Sequence, residues 1–158
     1  MNQTERNLSA EQFYRTSTII WAALLMSQFM FLLVIYFAKP EVFRFDFSKP
    51  ILGENAMLVI IFLAIALMNI ALSFVLRNIY VNKAINEQNV ELVQTAVIIG
   101  CALAEMASLF GLVLAFLNAY TYFFIFFIIG IAGVLLHFPL RKNFIDASYK
   151  TSNNSTGA

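Results

Sequence analysis

The sequence predicts an all-α membrane protein, a four-transmembrane-helix bundle. Three observations carry this. Of 158 residues, 61% are hydrophobic and only 12% charged, far too little charge to cover a soluble domain of this length. Four continuous apolar runs are each long enough to cross a hydrocarbon core of ~30 Å, which takes about twenty residues. One acidic side chain, Glu105, lies in the middle of such a run. The formal charge of +1 and pI of 7.8 suggest no nucleic-acid partner. The lone Cys101 gives neither a disulfide framework nor a cysteine-rich metal site. No hydrolytic triad, phosphate loop or metal motif is present, so an enzyme is the least expected class.

The spans are expected at about residues 17–37, 56–76, 92–117 and 120–140, within a single domain 1–150. Lipid satisfies no backbone polar group, and barrel strands alternate, so these unbroken runs must be helices. The first run lacks a basic leader segment and reads as a retained helix, not a cleaved signal. Ser9-Ala10-Glu11-Gln12 has the pattern of a capping box leading into it. Residues 39–55 contain Pro40, Pro50 and the alternating Phe43-Arg44-Phe45-Asp46-Phe47, and are expected to be a plain connector with interfacial aromatics, with a short external strand or a cap closing the bundle's outer end as the alternatives. The polar stretch 78–91 should continue both flanking helices. Asn118 and Ala119 leave room only for a tight turn, making the third and fourth helices antiparallel neighbours. The tail 151–158 is polar and expected to be disordered. A weak internal echo, Thr16 and Ile19-Ile20 against Thr95 and Ile98-Ile99, suggests two tandem helical hairpins.

Orientation follows from the cations. Arg6, Arg15, Arg77, Lys83, Arg141, Lys142 and Lys150 fall on one side, and Lys39, Arg44 and Lys49 on the other. This bias places both termini in the cytoplasm.

A carboxylate at the centre of a spanning helix costs roughly 3 kcal/mol. Glu105 should therefore face protein or water. Apolar surroundings favour its neutral form and a hydrogen-bond donor favours the ion, the general device for passing a proton. Gln28 and Glu105 each lie eleven residues above their cytoplasmic span ends, about 16 Å up. Gln28 is thus the first candidate partner, with Ser27 beside it. Cys101 and Ser108, one turn away on either side, share the Glu105 face. Asn69 reads as an interhelical hydrogen-bonding contact. Gly100, Ala104, Ala107, Ser108 and Gly111 form a close-packing stripe for another helix, within the chain or in a copy. The fourth helix, with Phe123, Phe124, Phe126 and Phe127, is expected to face lipid, and His137 to lie at the interface.

Residues 87–117 resemble the second half of the proteolipid (ring) subunit of rotary ATP synthases. The matching features are Gln88-Asn89, Glu91, Gln94-Thr95, Ile99-Gly100, Ala102-Leu103-Ala104-Glu105 and Gly111-Leu112-Val113. In that family a carboxylate at the Glu105 position carries the ion. The departures are the absence of the family's Arg-Gln-Pro loop, a second helix without glycine, and the acid on the third of four helices. The whole chain looks more like a bacterial four-helix membrane protein family of unassigned role that carries this segment. The resemblance implies a proteolipid-like subunit of the inner membrane that binds H⁺ (or, with Gln28, Na⁺) and takes part in proton translocation. Its partners would be lipid and a homo-oligomer or larger membrane complex. The other expectation is an accessory or assembly subunit with a structural glutamate.

Overall fold

The computed structural model describes residues 3–44, 50, 56–118 and 120–149. Five α-helices and one 3-10 turn make up these residues, with no strand among them. Helix α1 spans Gln3–Ala38, α2 Ala56–Glu87, α3 Val90–Asn118, α4 Phe124–Leu136 and α5 Arg141–Ser148, with the 3-10 turn at Pro40–Phe43. Three helices are long and apolar enough to cross a membrane, or four if the bent pair α4 and α5 counts as one. The outer surface is correspondingly apolar, with Ile19, Met30, Leu67, Met68, Ile128 and Leu136 all exposed. That is the surface of a membrane protein.

The long helices outrun the apolar segments. α1 has 36 residues and α2 has 32, about 54 and 48 Å at 1.5 Å per residue. Because α1 starts at Gln3, Ser9 and Gln12 lie inside the helix and do not open it as the expected capping box. The polar stretch after Arg77 continues α2 to Glu87, as its composition suggested. Gln88 then takes a left-handed conformation (φ 54°) and the Asn89 N–H donates to the Ala84 carbonyl, closing α2. The Asn89 side chain accepts the Glu91 N–H and opens α3.

α3 is the hub. α2, α4 and α1 pack along it, whereas α1 and α2 do not pack along each other. Tandem hairpins would have required α1 and α2 to be partners, and that arrangement is not what forms. The small residues of α3 explain the centre. A Cβ at Gly111 would meet the Phe123 carbonyl and Phe126; one at Gly130 of α4 would strike Ser108; one at Gly133 would strike Ala104; one at Gly100 would strike the His137 ring. These contacts step down α3 as they step up α4, so the two helices run antiparallel in continuous register. The small-residue stripe is therefore filled from within the chain. Ala107, on the α2 side, packs with Val59, Ala66, Leu114 and Phe126.

The fourth apolar run differs most from expectation. Phe123, Phe126 and Phe127 are buried, not lipid-facing, because α4 presses them onto α3. The outward positions are Ile128, Leu135 and Leu136. The run also breaks at Pro139: α4 and α5 meet at a 41° bend, since proline lacks the N–H that a continuing helix needs. Beyond the bend, Phe144 and Ala147 of α5 enter a cluster with Ala10, Ala84 and Val93, closing one end of the bundle. Arg141 holds α5 to α1 through Glu11, Nη2 to Oε2 at 2.9 Å. At the opposite end Val42 is buried with Ile35, Ala115 and Phe123. The start of the 39–55 segment is thus a cap on the bundle, not a bare connector. Its alternating part after Arg44, and the tail 151–158, lie outside the described residues.

Gly133→Val should destabilise the protein by about 1–3 kcal/mol, as overpacking does. Ala132→Val, on the exposed side of the same turn, should stay within about 0.5 kcal/mol. Unfolding of the detergent-solubilised variants measures the difference.

Candidate functional site

At the end of α4 the His137 and Phe138 N–H groups tighten onto the Val134 and Leu135 carbonyls, and side chains from two other helices add donors around the break at Pro139. Trp21 of α1 donates its indole N–H to the Val134 carbonyl at 2.8 Å. Arg77 of α2 donates to Leu136 at 2.9 Å and to Phe138 at 3.0 Å, forking across the bend. His137 turns its own Nδ1–H onto the Gly133 carbonyl at 2.7 Å. The guanidinium also sets a positive charge at the negative end of α4. His137 is fully buried, seated over Gly100 and facing Phe74 at 4.6 Å between ring centroids. Trp21 packs edge-on against Phe138, 4.9 Å away. The sequence reading missed Trp21 and Arg77 as caps. The signal was available in an indole inside an apolar run, which needs an acceptor, and in a proline near the end of another.

Near the middle of α3, and about two-thirds of the way along α1, lies the polar cluster. Gln28 is fully buried and its Oε1 accepts the Ser108 hydroxyl at 2.7 Å. Gly130 on α4 leaves the room, since a Cβ there would lie 3.1 Å from Gln28 Oε1 and collide with Ser108 Oγ. The Gln28 amide nitrogen has no hydrogen-bond partner among the described residues. Glu105 does not bond Gln28. Its Oε1 meets the hydroxyl of Ser27, one residue earlier on α1. Neighbouring helical residues point about 100° apart, so Ser27 looks to the outer edge of the α1–α3 contact and Gln28 looks inward. Glu105 itself is only partly buried.

Ser27 also lies 2.7 Å from the carbonyl of Leu24 in its own helix. A serine has one proton and therefore one donation to make. With an ionised Glu105, Ser27 donates to the carboxylate. With a neutral Glu105, the carboxyl O–H donates to Ser27, and Ser27 donates to Leu24. Rotation of one hydroxyl completes the hydrogen bonding of either protonation state.

The other expected site residues fall elsewhere. Cys101 is buried among Val97, Ala104, Val134, Trp21 and Leu24, and packs there without a hydrogen bond to Glu105. Asn69 is half-buried on α2 and makes no side-chain hydrogen bond among the described residues, so it is not the expected interhelical contact. Among those residues no three of His, Cys, Asp and Glu gather as metal ligands. No family model, curated protein or solved structure matches the chain.

Ser108→Ala strands the Gln28 oxygen and should cost about 0.6–1.7 kcal/mol. Adding Gln28→Leu removes both polar partners, and the double variant should recover part of that loss. A double-mutant cycle by detergent unfolding checks it.

Proposed function

We propose that the chain is a proteolipid-like, multi-pass protein of the inner membrane that binds a proton at Glu105 and takes part in proton translocation. The four crossings in this reading are α1, α2, α3 and the bent pair α4 and α5. Support for counting that pair as one crossing comes from its register on α3: Gly100 opposes His137 above the bend, and Val93 packs with Phe144 below it. Both termini then share one side, which the excess of lysine and arginine assigns to the cytoplasm.

The observation that carries the proton is the geometry at Ser27. A carboxyl held in apolar surroundings by a single rotatable hydroxyl, which has a second acceptor in Leu24, is served equally as acid and as anion. Na⁺ is disfavoured, because the Gln28 oxygen that would join Glu105 as a ligand is turned onto Ser108.

A second reading rests on a different observation. Towards the α5 end, the α1–α3 contact beside Glu105 consists of Trp21, Leu24, Leu25, Val97 and Cys101, which offer no chain of hydroxyls or carboxyls. An accessory or assembly subunit of a membrane complex, with Glu105 as a structural contact, needs no such path.

Carboxyl-directed carbodiimide should modify Glu105, with the adduct mapped by mass spectrometry and absent from Glu105→Gln. In proteoliposomes, Glu105→Gln should abolish proton flux. Flux unchanged by the substitution would remove translocation and leave the accessory role. An unreactive Glu105 would remove proton binding itself.

A further inference from the structure

Because α1 and α2 flank α3 without packing along each other, a face of α3 stays open between them. Ile98, Ala102, Val113 and Phe116 fall on that face by the helical period, and all four are exposed. Glu105 borders it on the α1 side, level with Ser27. One carboxyl oxygen is held by Ser27; the other makes no hydrogen bond among the described residues, and the side chain is partly exposed. Facing lipid, a free carboxyl oxygen at this depth is costly. The site is incomplete within one chain.

We propose that a second copy of this chain covers the open face of α3, across a two-fold axis along the membrane normal, with the two Glu105 carboxyls hydrogen-bonded to each other. Three features select this occupant. Copies inserted in one membrane share an orientation, and a closed pair is isologous, so a residue near the axis meets its own counterpart at its own depth. A carboxylic acid carries one donor and free acceptors, so it is complementary to a second carboxyl, neutral or ionised. Ala102, one turn from Glu105, is small and lets two α3 backbones approach. The glycine-containing stripe is not available for the purpose, since α4 fills it. The pairing rests on the proton-binding reading, because at least one of the two carboxyls must hold a proton. It completes each carboxyl: one oxygen towards Ser27, the other towards the partner copy.

The test is disulfide cross-linking of the full chain in native membranes, in a Cys101→Ala background. Ile98→Cys and Ala102→Cys probe the open face; Met68→Cys on α2 and Leu135→Cys on α4 are exposed controls. Dimers should form several-fold more readily at position 102 than at either control. Glu105→Gln, whose amide can pair with itself, should keep the cross-link, and Glu105→Leu should lose it. Cross-linking at 102 no greater than at the controls, or unchanged in Glu105→Leu, would overturn the pairing, as would a ring that cross-links 102 only to a different face. Carbodiimide labelling after detergent extraction separates the two ideas. Labelling without cross-links sinks the pairing alone; an unlabelled Glu105 sinks the proton-binding reading and the pairing with it.

Discussion

Pro139 sets a problem that much of the bundle is arranged around. A helix interrupted by proline loses backbone donors at its last turn, and carbonyls buried there are costly if left alone. Trp21, Arg77 and His137 bring four N–H groups to that point from α1, α2 and the end of α4 itself. Those bonds fix the azimuth of α1 and α2 relative to α4, and hence which residues of each helix can face α3. They also free the chain to bend, so that α5 turns beneath the bundle and inserts Phe144 between α1, α2 and α3.

The second constraint is closeness. Glycine at 100, 111, 130 and 133 removes the side chains that would hold α3 and α4 apart. Dispersion between close backbones is the principal attraction left when the surroundings are as apolar as the contact. The same closeness seals Gln28 and Ser108 against each other beneath Gly130, while leaving Glu105 at the rim. One helix contact therefore separates a buried neutral pair from a half-exposed acid only three residues away on α3.

Much of this was legible in the residues, and the limits have a physical pattern. Apolar run length fixed which segments are helical, and the polar stretch before Glu87 was rightly read as more helix. Counting 1.5 Å per residue put Ser27 and Gln28 level with Glu105, and the α1 pair does meet α3 there, at Glu105 and at Ser108 one turn on. It could not say which way each points, because depth is linear in sequence while azimuth depends on which helix packs where. Gln28 was expected on Glu105 for that reason, and one residue of rotation gave the bond to Ser27. Phenylalanine on the fourth run looked lipid-facing because core and lipid want the same side chains. His137 and Cys101 looked polar by type, and Gly100 and the apolar surround of Val97 and Trp21 decided otherwise. Caps such as Arg77 are visible only after the break they serve is placed.

The Ser27 hydroxyl binds two neighbours of different kinds, a side chain on α3 and a backbone carbonyl one turn back on α1. It can donate to one at a time. A serine that donates into the preceding turn bends its helix slightly, and one that donates elsewhere relaxes it. Trp21, six residues before Ser27 on the same helix, donates to the carbonyl of Val134. One helix thus carries both the hydroxyl that meets Glu105 and the indole that steadies the end of α4.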